Sequence, residues 1–129
     1  MLHEILSRYL KAIEHVVNKL NNAYVERYEE EILTEDRVNL RIRIRFTNGY
    51  LLELNEAVKA EKNTINHLNY RYHFQDDRYR LVFRYDNTPH FPDIESFPHH
   101  KHAQHIVLAS DRPSISQVIE EALDVMSKV

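Results

Sequence analysis

With 129 residues and a net charge of −3, the chain is long enough to bury one substantial core, and as a whole it carries too little positive charge to be drawn strongly to nucleic acid. The absence of cysteine excludes a disulfide framework and thiolate metal sites. The apolar runs are too short to span a bilayer and the N-terminus lacks a signal-peptide apolar region, so a single cytoplasmic domain over residues 1–129, without a membrane partner, is expected.

Residues 2–22 predict an amphipathic helix. Leu2, Ile5, Leu6, Tyr9, Leu10, Ile13, Val17 and Leu20 recur at three- and four-residue steps along one face. Asn21-Asn22 is a plausible stop, and His3 and His15 read as solvated surface residues. From Tyr24 the period changes to two. A charged first strand runs to Leu33, and Thr34 to Asp36 turn it. Val38, Leu40, Ile42, Ile44 and Phe46 then alternate with Asn39, Arg41, Arg43 and Arg45, the pattern of a strand with one buried face. Asn48-Gly49, with the chain's one glycine, is a hairpin signal. A three-residue loop there sets Ile44 opposite Leu52, Ile42 opposite Leu54 and Arg43 opposite Glu53.

The return strand runs from Tyr50 to about Val58, and Glu61-Lys62-Asn63 turn it. A fourth strand alternates Leu68, Tyr70, Tyr72 and Phe74 with polar residues, and a fifth carries Tyr79, Leu81, Phe83 and Tyr85 inward. Ile106 to Ala109 predict a short edge strand. Ser114 with Gln117 resembles a capping box, opening a closing helix over 114–127. Consecutive strands with short turns make an antiparallel meander. The expected fold class is α+β, an antiparallel sheet of five to six strands over residues 24–86 with the short strand 106–109, and with the N- and C-terminal helices packed on one face.

On this fold the uncovered face carries Arg41, Arg43, Arg45, Arg71, Arg78, Arg80, Arg84, His67 and His73, with few acidic residues expected among them. Such a face reads either as solvated with cross-strand ion pairs or as a phosphate-binding surface, since guanidinium groups grip phosphate in bidentate fashion. Arg41, Arg43, Arg45, Arg71 and Arg80 are the candidate RNA contacts.

Residues 87–105 form a proline-rich segment that predicts an ordered loop. His90, His99, His100, His102 and His105 lie in it, and Phe91 and Phe97 would anchor it. Three readings stand open. Paired imidazoles can serve as general base and general acid in RNA cleavage without a metal, beside Lys101 and Arg84 as phosphate-stabilising cations. The run H-H-K-H with His105, and Asp93, could instead ligate a metal ion, although the spacing matches no established metal motif. The histidines could also be structural. No metal or other cofactor is expected.

F-R-Y-D-N at Phe83 to Asn87, P-H at Pro89-His90 and F-P-H-H-K-H at Phe97 to His102 resemble the TumE-type toxins of prokaryotic toxin–antitoxin pairs. The resemblance covers about the last two-thirds of the chain. It implies a toxin neutralised by direct contact with a cognate antitoxin of helix-turn-helix type, with RNA cleavage as the expected activity. By position it reaches Arg84, Tyr85, Asp86, Asn87, His90, His99, His100 and His102. Asp86 would orient a histidine and Asn87 would fix the loop. Residues 1–22 are left for antitoxin binding or for a homodimer. The alternative function is a non-catalytic module that binds nucleic acid or protein through the arginine face.

Overall fold

Alternation along Val38 to Phe46 buries every second side chain, and the sheet grows outward from that strand on both sides. The computed structural model describes residues 1–129. Its elements are α1 (Glu4–Asn18), β1 (Ala23–Thr34), β2 (Arg37–Phe46), β3 (Leu51–Glu61), β4 (Thr64–Gln75), β5 (Leu81–Asp86), β6 (His100–Ala103), β7 (Ile106–Ala109) and α2 (Ile115–Ser127). The strands stand in sequence order in one sheet, each antiparallel to the next. The class is α+β, but the strands number seven rather than five to six.

Both helices lie on one face. Leu6, Leu10, Ile13 and Val17 of α1, and Ile115, Val118, Ile119 and Ala122 of α2, join the inward residues of β2 to β5 in one cluster of 22 buried residues. Helix α1 is shorter than expected. Its N-cap is His3, whose Nδ1 accepts the Ile5 N–H at 3.1 Å, so this histidine is a helix cap and not a free surface residue. Helix α2 begins at Ser114 with the full capping box expected of Ser114 and Gln117.

The β2–β3 hairpin has the three-residue register, with Ile44 opposite Leu52, Ile42 opposite Leu54 and Arg43 opposite Glu53. Gly49 takes φ +93°, which a side chain rarely adopts, and an added Cβ would meet the Asp77 Cβ at 3.0 Å. The other left-handed turn residues are Asn22, Lys62, Tyr79 and Gln104.

Two departures set the stage for the site. First, β6 lies inside the predicted loop. The last proline of that segment is Pro98, so from His99 onward nothing bars a strand. His100 to Ala103 pair with β5 on one side and β7 on the other. Second, a bulge between Ala57 and Val58 on one side and their β4 partners on the other skips Leu68, so Val58 faces His67. Val58 is core-facing, and His67 is thereby turned to the helix-covered side, not to the open face where it was expected.

That turn completes a polar cluster inside the core. The Glu56 side chain is fully enclosed and receives hydrogen bonds from the Tyr9 hydroxyl at 2.6 Å and from the Tyr72 hydroxyl. His67 Nε2 lies 3.2 Å from the carboxylate, and Arg112 Nη1 lies 3.8 Å from it while donating to the Tyr72 oxygen at 3.1 Å. Burial pushes the Glu56 pKa up, but the bonds from His67, Tyr72 and Tyr9 outweigh it and hold the group below its ordinary value. Helix α1, strands β3 and β4 and the segment before α2 meet at this one carboxylate.

Candidate functional site

Strand β5 alternates Phe83 and Tyr85 inward with Arg84 and Asp86 on the open face. Opposite them β6 sets His102 against Arg84 and His100 against Asp86, and β4 sets Arg71 against Asp86. A period of two in H-K-H therefore brings His100 and His102 to the open face and sends Lys101 to the other. Arg71, Arg84, Asp86, Thr88, His90, His100 and His102 line a cleft of about 270 Å³ with no hydrophobic residue in its lining.

Asp86 is the hub. Its side chain is 6% exposed. Oδ1 accepts the Thr88 N–H at 3.0 Å and lies 3.0 Å from His100 Nε2. Oδ2 accepts Arg84 Nε at 3.3 Å and lies 3.8 Å from His102 Nε2. His100 is buried, and its Nδ1 lies 2.9 Å from the Pro98 carbonyl oxygen. Both ring nitrogens thus face acceptors. Outside the lining, Phe91 packs its ring edge-on against His100 at 5.0 Å and His102 at 5.8 Å.

His102 differs from its neighbour. Its side chain is 19% exposed and makes no hydrogen bond. Burial first, then the charges of Arg84 and His100, push its pKa down, and Asp86 only partly restores it. These surroundings favour the neutral ring over the charged one. Arg71 makes no ion pair and borders the cleft as an unengaged cation.

Other residues expected at the site stand apart. Lys101 turns to the helix side, where its Nζ reaches Glu121 of α2 at 2.7 Å and lies 4.9 Å from the Tyr85 ring centroid. His99 stacks on Tyr70, with ring centroids 5.7 Å apart, and hydrogen-bonds the Tyr70 hydroxyl at 2.9 Å, on the core side of β4. His105 sits at the β6–β7 turn beside a cavity of about 610 Å³, together with Tyr50, Arg80 and Val125. Arg80 is tied to Asp76 at 3.1 Å in the β4–β5 turn. Asn87 stitches the loop to β4, its Oδ1 accepting the Tyr70 N–H at 3.1 Å and its Nδ2 donating to the Leu68 carbonyl at 3.3 Å.

The β2 arginines are already paired. Arg43 reaches Glu26 at 2.9 Å and Glu53 at 3.8 Å, Arg45 reaches Glu26 at 3.2 Å, and Arg41 lies 3.7 Å from Glu31 and 3.9 Å from Glu29. The expectation of few acids on this face is corrected by β1, which lies beside β2 and supplies three of those four carboxylates.

Asp86, His100 and His102 offer three ligand atoms within 4.8 Å of one another, so they are the group that could gather a metal ion. The local charge opposes it. The Arg84 guanidinium already occupies Asp86 Oδ2, and Arg71 and His90 add further cationic or cation-forming groups to the same cleft. A divalent ion would have to displace one cation and sit beside another. Thr88 and the Pro98 carbonyl complete the site and had no sequence signal, whereas Phe91, expected as a loop anchor, packs on His100 and His102. The two-residue spacing of His100 and His102 was the signal for their shared face.

Residues 13–129 match the model of a protein family described as Toxin TumE. No curated protein and no solved structure matches the chain.

Proposed function

This chain belongs to the TumE toxin family, and from that premise we propose that it cleaves RNA in the cleft around Asp86 without a metal. Membership suggests the toxin component of a toxin–antitoxin pair and implies a cognate antitoxin as its partner. No helix is long and apolar enough to cross a membrane. An antitoxin of helix-turn-helix type and a cytoplasmic place of action belong to the proposal.

One observation carries the reading. Three imidazoles and two guanidinium groups converge on an all-polar cleft whose volume suits one phosphodiester and its ribose. Neutral His102 takes the proton of a ribose 2′-hydroxyl. The 2′-oxygen bonds to the adjacent phosphorus and the bond to the 5′-oxygen breaks. His90, at the cleft's exposed rim, gives that oxygen its proton, leaving a 2′,3′-cyclic phosphate and a 5′-hydroxyl. Arg71 and Arg84 neutralise the charge that builds on the phosphate. Asp86 and His100 hold the floor of the cleft, and Asn87 holds the loop. Pairing of the β2 arginines with β1 and β3 carboxylates weighs against the alternative of a non-catalytic arginine surface.

Purified chain and His102→Ala and His90→Ala variants, incubated with an RNA oligonucleotide in the presence of EDTA, test the reading. Each substitution is expected to lower the rate about 10²–10⁴-fold with the melting temperature nearly kept, and a 2′-deoxy substitution at the cut site is expected to stop cleavage there. A folded double variant that arrests growth as well as the parent would end the proposal.

A further inference from the structure

Strand β1 is one free edge of the sheet, 12 residues long and without proline or lysine. Long unprotected edges invite another strand. Four large apolar side chains stand exposed on it, two at each end: Tyr24 at 57% and Val25 at 42%, Ile32 at 57% and Leu33 at 47%. Val25 and Ile32 pair with Ile44 and Val38 of β2, so both lie on the helix side of the sheet, beyond the reach of a helix. Between the two ends, Arg27, Glu29 and Glu31 alternate with Tyr28 and Glu30. The register with β2 skips Glu26 and Leu33, leaving both outside the regular pairing.

These features have a two-fold order, and from it we infer that β1 pairs antiparallel with β1 of a second copy, with Glu29 of each chain on the axis. Directly opposed residues in such a pair must share a face. With Glu29 opposite Glu29, Tyr28 falls opposite Glu30 on the helix side and Arg27 opposite Glu31 on the open side. The skipped Glu26 then corrects the phase, and Val25 falls opposite Ile32; Leu33, skipped in the same way, leaves Tyr24 opposite Thr34. Val25 and Ile32, both exposed and apolar, meet twice over by symmetry, and each Arg27 meets a carboxylate. Glu29 on the axis carries its own cation, since Arg27 Nη2 lies 2.9 Å from it within the same chain. A register shifted by two residues loses the apolar match at both ends, and a shift by one puts opposed residues on different faces. The assembly is a fourteen-stranded sheet of two seven-stranded halves, helices on one side and both clefts open on the other. The inference is independent of the chemistry in the cleft.

The chain's lack of cysteine supplies the test. Opposed residues of an antiparallel pair have Cα atoms about 4.5–5.5 Å apart, inside the range of about 4.4–6.8 Å that a disulfide spans. Glu29→Cys is therefore expected to form a covalent dimer on mild oxidation. Glu31→Cys, whose two copies lie roughly 13 Å apart along the strands, is expected not to. Sedimentation of the unmodified chain is expected to give a dimer mass at micromolar concentration. Ile32→Lys should raise the dissociation constant at least about tenfold, a shift of about 1.4 kcal/mol. Arg27→Glu should weaken association, and Arg27→Glu with Glu31→Arg should restore it. A monomer mass up to about 100 times that concentration would overturn the inference. So would cross-linking at residue 31 in place of 29, or an edge that stays free in the isolated chain and is covered only by the antitoxin.

Discussion

Two carboxylates lie almost wholly inside this protein, one on each face of the same sheet, and they are put to opposite uses. Glu56, on the helix side, is enclosed by two phenols, an imidazole and a guanidinium drawn from three parts of the chain. Asp86, on the open side, is held by a backbone N–H, Arg84 and His100, all from residues close to it in the sheet, and water reaches the groups around it. Glu56 has partners enough to be inert and joins distant elements. Asp86 fixes a charged floor beneath a neutral His102 that has no hydrogen bond of its own. The difference teaches that burial of a carboxylate does not by itself mark a site. What marks it is a neighbour left unsatisfied and within reach of solvent.

The sharpest way to break the comparison is Glu56→Ala. It would leave Arg112, His67 and the hydroxyls of Tyr9 and Tyr72 without their shared acceptor, and the expected loss is about 3–5 kcal/mol of stability, a large part of the ~5–15 kcal/mol typical of a whole domain. Urea denaturation of the purified variant measures it, and a midpoint close to the parent's would refute the role assigned to Glu56. Asp86→Asn should separate stability from activity. It costs about 1–3 kcal/mol by weakening the acceptor for His100 and Arg84, yet it should reduce RNA cleavage far more than the loss of folded protein explains. Circular dichroism beside a cleavage assay reads both.

Acid titration sharpens the contrast through sign. The folded pKa of His102 is depressed, so its neutral form favours folding. That contribution is complete above the unfolded value near 6.5 and declines as pH falls below it, down to the depressed folded value. His73, lowered chiefly by burial, acts in the same window. Glu56 is depressed below 4.5, so its contribution is lost only at more acid pH, as the pH falls through its folded value. Thermal melts across pH should therefore show two falling limbs, and His102→Gln should shrink the upper limb alone. A variant with both limbs unchanged would contradict the environment described for His102. The smallest effect is expected where each cation already has its anion. Replacing Arg41, Arg43 and Arg45 together by Gln should change stability by only ~0–1 kcal/mol per pair. It should weaken RNA binding less than Arg71→Gln alone, as salt-dependent filter binding would show; a larger effect from the triple variant would return the binding role to β2.

Much of this was legible in the residues, and the failures have physical causes. The β2 alternation and Asn48-Gly49 set the hairpin register because one face is apolar and a one-residue slip would expose it. Strand β6 was read as loop because it is four residues long, lacks β-branched side chains and follows three prolines. His67 was placed on the wrong face because a bulge shifts the phase of an alternating pattern and leaves no mark of its own at Leu68. Ion pairing on the arginine face was one of the two readings, but its acids were undercounted because β1, an edge strand, does not need the alternation that would have shown which way Glu26, Glu29 and Glu31 point. Clustering of histidines pointed to a candidate site, but only pairing across three strands could separate His100 and His102 from His99 and His105.

The turns bear on the order in which the chain folds. At Lys62, Tyr79 and Gln104 the left-handed backbone falls on residues that resist it, so those hairpins must be held by the strands they join. At Asn48-Gly49 alone, turn preference, strand alternation and cross-strand pairing all favour the same structure. Pairing of β2 with β3 is thus the cheapest first step, and the strands on either side can add to a template that already exists. Substitutions such as Ile44→Val should slow folding nearly in proportion to the stability they remove, whereas changes in β6 and β7 should act almost wholly on unfolding. The histidine cleft would then be among the last parts of the molecule to form.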